Sequence, residues 1–370
     1  HWQHSRAYRE RIKNLEPYWL DEFAGEIPLL NLPLDFPRPA VQSFAGNTLY
    51  FELGEKDTAA LEEMVNREKV TLFMVLLAIY KVLLAKLSGQ EDIAVGIPTA
   101  GRRHPDLEPI IGMFINTLAL RNFPTGEKPF NRFLHELSSK TLEAFENQEY
   151  PFEDLVESVS VVRDAGRNPL FDVMFALQNM ESGEVENPGL KILSRRYESH
   201  ISKFDMTLAA EENDSGLTFS LEYCTALFKE ETIRRFIRYF KKILSVVGKS
   251  PGTKIADIEI LSEEEKREIV CEFNNPEPAF PYDKTIPGLF EKQVSETPDY
   301  IALTAWSTGN GVQGGREVEP GPMLTYRQLN DSAARLAALL IEKGLCPGGL
   351  VALMTKRSIE MIVGIIGILK

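Results

Sequence analysis

The stretch TLFMVLLAIYKVLLAKL, residues 71–87, is apolar nearly all round when wound into a helix, with only Lys81 and Lys86 charged. Such a helix belongs inside a structure, packed on several sides. It falls short of a bilayer span, which needs about 20 predominantly apolar residues. The fold must therefore be layered around it. Thr71 is placed to cap its N-terminus and Gly89 lies just past its end.

The flanking segments supply the layers. Residues 57–68 put Ala60, Leu61, Met64 and Val65 on one side of a second helix, and Phe130, Phe133, Leu134, Leu137 and Phe145 stripe a third. DIAVGIPTAG (92–101) reads as a buried strand running into a turn, residues 110–121 as another, and LFDVMFALQ (170–178) as a third. GLTFSLEYCT (216–225) alternates, with Leu217, Phe219, Leu221 and Tyr223 on one face, as a half-buried strand does. ETIRRFIRYFKKILSVV (231–247) returns to a helical period. Together these predict a layered α/β domain over residues 1–262.

A break follows. SEEEKREIVCEFNNPEPAFPYDKT is charged, then rich in Pro and Asn, and predicts a linker over 263–284, its acidic run starting a short helix capped by Ser262. From 285 come a short helix, the strand YIALTAW, a Gly-rich loop at 307–322 and an Ala/Leu helix. GLVALMTKRSIEMIVGIIGILK then repeats strand and helix. That alternation predicts the beginning of a parallel α/β domain over 285–370. The chain opens on His1 and stops in GIIGILK, which reads as a piece of a longer protein.

The chemistry is first narrowed by exclusion. A net charge of −13 argues against nucleic acid or an anionic membrane as the main partner. Cys224, Cys271 and Cys346 form no CxxC pair, so neither a disulfide framework nor a zinc site is expected, and a reducing, cytoplasmic compartment fits. His1, His4, His104, His135 and His200 fall in no catalytic or metal-binding spacing, and the Gly-rich loop lacks the GxxxxGK[ST] of a phosphate cradle. Three stretches are left. IGMFINTLALR (111–121) places Asn116 and Thr117 in an apolar run, where a buried Asn without partners costs about 1–3 kcal/mol. Asn116 is thus a catalytic, a positioning or an architectural group. NQEYPFEDLVE (147–157) sets Pro151 between two aromatics at a helix start, and RDAGRNPLFDVMF (163–175) crowds Arg, Asp and Asn into the turn before a strand. These two read as interface loops rather than acid–base sites.

In order and spacing, IGMFINTLALR, NQEYPFE (147–153) and RDAGRNPL (163–170) resemble the last three motifs of the condensation domains of nonribosomal peptide synthetases. The opening HWQ is similar to the tail of the motif before them. FNNPEPAFPYDKTIPGLFEKQVSETPD (273–299) resembles the connector into an adenylation domain, LTYRQL (324–329) its first core motif, and Leu369-Lys370 the start of its second. The resemblance implies that residues 1–262 are the C-terminal lobe of a two-lobed acyltransferase of the chloramphenicol-acetyltransferase type, followed by the beginning of a parallel α/β adenylate-forming domain. Glu149 stands where the family often has Asp, Ala165-Gly166 where a Ser is common, and Pro287 where His is common.

It implies a reaction as well: a carrier-bound aminoacyl amine attacks a carrier-bound acyl or peptidyl thioester in a tunnel between the lobes, and a neighbouring domain activates an amino acid with ATP. Gly112, Met113, Asn116 and Trp2 would line the tunnel or position substrate. Tyr150, Pro151, Phe152, Arg163, Asp164, Arg167, Asn168, Pro169, Thr325 and Tyr326 would hold the motifs together. The family's HHxxxDG motif occurs nowhere in the sequence and belongs ahead of His1, so no catalytic residue and no metal ligand is expected within the chain. The implied partners are a preceding N-terminal lobe, upstream and downstream peptidyl carrier proteins, and the remainder of the adenylation domain. Phosphopantetheine would arrive on the carriers, and ATP with Mg would bind the full adenylation domain, none of them held by this stretch alone. The piece by itself is expected to be inactive, and to self-associate through the apolar face its partner lobe would cover. Two alternatives stand beside this reading: an epimerising or ester-forming relative on the same fold, and a non-catalytic interaction scaffold.

Overall fold

Along the chain of the computed structural model run α1 (Arg6–Glu22), β1 (Gly46–Glu52), α2 (Glu55–Glu68), α3 (Leu72–Ser88), β2 (Ile93–Thr99), β3 (Asn116–Asn122), α4 (Phe130–Glu146), α5 (Phe152–Ser158), β4 (Val173–Gln178), β5 (Met206–Asn213), β6 (Gly216–Cys224) and α6 (Glu230–Lys249). The structure describes residues 5–102, 105–159, 164–178, 199–213, 216–274, 283–306 and 320–370. Two units divide the chain, 1–266 and 267–370.

The apolar helix is α3, and its ends are capped as expected. The Thr71 hydroxyl accepts from the Met74 amide at 3.3 Å, and Gly89 takes the left-handed φ of 70°. Every residue from Met74 to Ala85 is buried, with α2, α4, α6 and β2 packed around the helix. Lys81 is among them, fully buried. Its Nζ donates to the carbonyls of Ile93 at 3.0 Å and Leu120 at 2.6 Å, tying the helix to the hairpin of β2 and β3. Burial pushes its pKa well below the usual 10.5, with Lys140 pushing the same way and Asp92 opposing. Two of its N–H donors are taken by those carbonyls.

One six-stranded sheet, ordered β1-β6-β5-β4-β2-β3, lies against these helices. β2–β4 and β4–β5 run parallel and the other neighbours antiparallel. Leu217, Phe219, Leu221 and Tyr223 are buried, as the alternation of β6 required. In β2, a Cβ on Gly96 would stand 2.2 Å from the ring of Phe171, so only glycine lets that ring sit on the strand.

The strand expected over 110–121 is only half there. The ladder begins at Asn116, opposite Thr99, the last residue of β2. Among the described residues no strand runs beside 110–115, and Ile111 and Met113 are 101% and 92% exposed. An apolar run there does not mean burial within this unit.

The expected linker starts as helix α7 (Glu263–Arg267), whose Glu265 amide donates to the Ser262 hydroxyl at 3.1 Å. In the second unit, α8 (Ile286–Glu296) is capped by Thr285, and β7 (Ile301–Trp306) pairs antiparallel with β8 (Pro320–Thr325). The Gly-rich stretch between them lies largely outside the described residues. α9 (Tyr326–Glu342) and α10 (Ile359–Leu369) follow. The strand expected ahead of α10 does not form. Residues 351–356 make no ladder, since no described strand runs beside them. Among the described residues no single helix is long and apolar enough to cross a membrane.

The buried amine makes stability depend on pH. The unfolded chain binds the Lys81 proton with a pKa near 10.5, and the folded chain binds it less tightly. Between the lowered value and the usual one the unfolded state holds more protons, so stability rises with pH, by up to about 1.4 kcal/mol per pH unit. Urea unfolding of wild type and Lys81→Met at about pH 7 and about pH 9 should therefore show wild type gaining on the variant at the higher pH. A difference that stays flat would contradict the lowered affinity of the buried amine for its proton.

Candidate functional site

The site grows from the open end of the β2–β3 hairpin, where Thr99 and Asn116 face each other in register. Both bond the same turn, residues 147–151, which joins α4 to α5. The Thr99 hydroxyl donates to Gln148 Oε1 at 2.8 Å and accepts from the Gly101 amide at 3.2 Å. Asn116 does more. Its Nδ2 donates to the carbonyls of Gln148 and Tyr150, both at 2.8 Å, and its Oδ1 accepts from the amides of Thr117 at 2.9 Å and Phe152 at 3.3 Å. Both donors and both acceptor positions of the carboxamide are filled by backbone.

The turn itself is pinned from the other side by α1. Trp19 Nε1 donates to the Asn147 carbonyl at 3.0 Å, and Arg11 pairs with Glu149, its Nη2 donating to Oε1 at 2.9 Å. Tyr150 is buried, its hydroxyl 3.4 Å from Glu16 and 3.5 Å from Ser158, and burial raises its pKa. Pro151 occupies the N-cap position, one residue ahead of the first turn of α5.

The third stretch joins through aromatic packing. The Phe152 ring lies 5.5 Å from that of Phe171, which rests on Gly96 and stands 5.5 Å from Phe204. Around it the charged side chains close on one another. Arg167 donates to Asp172 at 2.6 Å and to the Leu30 carbonyl at 3.0 Å; Asp164 accepts from the Gly166 amide at 2.8 Å; Arg38 pairs with Asp205 and donates to the Gly166 carbonyl at 3.2 Å. Burial, and then the charge of Asp205, pushes Asp172 up to about 6, while Arg167 and Arg38 pull it down. The Arg167–Leu30, Arg38–Gly166 and Arg38–Asp205 contacts pin segments distant in sequence, while the Asp164 and Asp172 contacts of this turn are local.

Beside Asn116 opens a cavity of about 830 Å³. Met113, Phe114 and Ile115 line one part of it, Tyr8, Arg11 and Glu149 another, and Pro151 contributes as well. Of the residues singled out in the sequence, Met113, Asn116 and Pro151 meet here, with Tyr150 and Phe152 supporting the wall. Gly112 is on the exposed loop next to it. Asp164, Arg167 and Asn168 belong to the pinned turn, Asn168 donating to the Lys203 carbonyl at 3.4 Å, and Pro169 leads into buried Leu170. Thr325 and Tyr326 are in the second unit. There Thr325 forms a capping box with Gln328, and the Tyr326 ring lies 6.2 Å from Phe290. Trp2 and Arg163 lie outside the described residues. Sequence reasoning missed Thr99, Gln148 and Arg11 as partners of the motif. The glycine inside the strand DIAVGIPTAG was the one signal of a close approach there.

The geometry has counterparts. Residues 1–270 match the condensation domain model and residues 290–370 the model of AMP-binding enzymes. Gramicidin S synthase 2 of Brevibacillus brevis is 46% identical over the whole chain, and tyrocidine synthase 3 of Brevibacillus parabrevis 45%; the chain spans 8% and 6% of their lengths. In fold, the chain is similar over 99% of its length to a holo four-domain nonribosomal peptide synthetase solved with AMP and glycine, with a TM-score of 0.74, 22% identity and 28% of that chain covered. The chain belongs to the condensation-domain family and carries the start of an AMP-binding domain after that domain. It is a stretch of a modular nonribosomal peptide synthetase, on a mixed α/β fold of the condensation type.

Two substitutions test the assembly. Asn116→Asp removes both donors and sets an anion against two carbonyls, which should cost about 3 kcal/mol of stability in urea unfolding. Gly96→Ala pushes a methyl into the Phe171 ring and should cost about 2 kcal/mol. Wild-type stability in either variant would show that the corresponding contact does not hold the site.

Proposed function

We propose that this stretch supplies one wall of the chamber in which a modular synthetase joins a carrier-bound amine to a carrier-bound acyl or peptidyl thioester, and that it begins the domain activating the next amino acid with ATP. The observation that carries the reading is the Asn116 cross-link, which unites the 111–121 and 147–153 motifs at the edge of the cavity. Its relatives, named as gramicidin S and tyrocidine synthases, support the same reaction class.

In the reaction, the amine nitrogen attacks the thioester carbonyl carbon, the C–N bond forms and the C–S bond breaks. The sulfur leaves as a thiol with a proton surrendered by the amine. An amine held against a thioester is a competent pair, and orientation can be worth an effective molarity of about 10⁵ M and above. The part of this chain is orientation. Asn116 has no bonding capacity to spare for a proton shuttle, and a carboxamide does not titrate near neutral pH. It fixes the wall along which Met113 and Pro151 meet the substrate.

The partners that complete the site are a preceding lobe bearing HHxxxDG, carrier proteins on either side bringing phosphopantetheine arms, and the rest of the adenylation domain. Among the described residues no group of three or more His, Cys, Asp or Glu could hold a metal ion. In this reading ATP with Mg binds the completed adenylation domain. The setting is the cytoplasm, consistent with the free cysteines Cys224, Cys271 and Cys346.

The test is a synthetase that includes this stretch, supplied with two loaded carriers. Wild type should yield the amide, and Asn116→Ala should slow amide formation by about tenfold or more while leaving ATP–pyrophosphate exchange unchanged. Formation of an epimerised thioester with no amide would instead establish the epimerising relative.

A further inference from the structure

The β2–β3 ladder closes at Thr99 and Asn116, yet the chain does not turn there. It makes an excursion over residues 100–115 before returning. Two adjacent antiparallel strands need only a two-residue turn, so a connection this long is the kind that carries function. Residues 103 and 104 lie outside the described part; the rest is organised around one side chain.

That side chain is Arg102. Its guanidinium donates to the carbonyl of Leu107, to those of Ile110 at 2.8 Å and Glu108 at 3.4 Å, and at the limit of bonding distance to Gly112 at 3.5 Å. It also stacks over the Phe114 ring, 4.3 Å from the centroid. The preceding residue makes this possible. Gly101 has a φ of +64°, and a Cβ there would stand 1.8 Å from the Phe114 carbonyl oxygen, so the two ends of the excursion touch. The arginine thus replaces the core that the loop lacks. Its apolar residues point outward, with Ile111, Met113 and Ile115 68% exposed or more.

Phe114, held by the guanidinium, sits between Met113 and Ile115, and all three line the 830 Å³ cavity beside Asn116. We propose that Arg102 is a positioning residue of the condensation reaction: by holding the carbonyls of 107–112 and the Phe114 ring, it sets where Met113, Phe114 and Ile115 stand along the substrate's path. This rests on the reading of the cavity as part of the condensation chamber. A lysine in its place keeps the charge but has neither the planar fork nor the stacking face.

Two measurements decide it. In the present chain, amide hydrogen exchange over residues 105–115 should accelerate by about tenfold or more in Arg102→Ala and by less in Arg102→Lys, with α3 unchanged in both. Unchanged exchange in the loop overturns the proposal. If Arg102→Ala also loosens α3, the same comparison is made with Arg102→Lys alone. In a synthetase containing this stretch, Arg102→Ala should lower kcat/KM for amide formation by about tenfold, Arg102→Lys should recover part of it, and ATP–pyrophosphate exchange should not move. Full amide formation with a loosened loop overturns the positioning role. A wild-type synthetase that makes no amide overturns the reading of the cavity instead, and with it the reaction this residue would serve, while the exchange result still judges its hold on the loop.

Discussion

The carboxamide of Asn116 binds four backbone groups from three places in the chain: its own neighbour Thr117, the carbonyls of Gln148 and Tyr150, and the amide that opens α5. The start of β3, the end of α4 and the first turn of α5 all depend on it. An amide side chain suits the task because it offers two donors and an acceptor with two lone pairs in one plane. A carboxylate lacks the donors and an aliphatic residue lacks both. Thr99, its register partner, fastens the same turn through Gln148, so the hairpin end is held at two points.

Further out, charge takes over from the amide. Arg11 reaches from α1 to Glu149, Lys140 pairs with Glu22 at 2.7 Å, and Arg121 holds Asp92 at 2.7 Å while donating to the Glu26 carbonyl at 2.9 Å. These contacts lay α1 and the segment after it against the hairpin and α4. The cavity therefore has a wall built from elements far apart in sequence but fixed to one another. Preorganisation of this kind would serve the proposed reaction between two tethered substrates, whose encounter is limited by orientation more than by reactivity.

Much of this was legible in the residues. The caps of α3, the alternation of β6 and the stripes of α4 and α6 are local signals, and the structure bears them out. Other elements left weak traces. α1 carries Pro17 within it and a mixed face, and β1 and β5 are strands without a distinctive apolar run. Residues 110–115 were misread for a physical reason: apolar content predicts burial only when the burying surface belongs to the same unit. Lys81 taught the converse. In the sequence it is a charge that interrupts an apolar helix; in the fold it is an amine whose burial disfavours its proton, and it bonds two strands.

The sequence by itself determined which segments are helix and strand over most of the sheet and its cover, the order of the motifs, and the need of a buried asparagine for partners. These follow from periodicity, capping and the cost of desolvation, all of which act over a few residues. Only the tertiary structure decided what those partners are. Asn116 meets groups more than thirty positions away, Phe171 finds the one strand residue without a side chain, and Arg102 turns back into its own loop. Which distant groups meet depends on how the sheet is ordered and where its strands stop, and no local pattern carries that information.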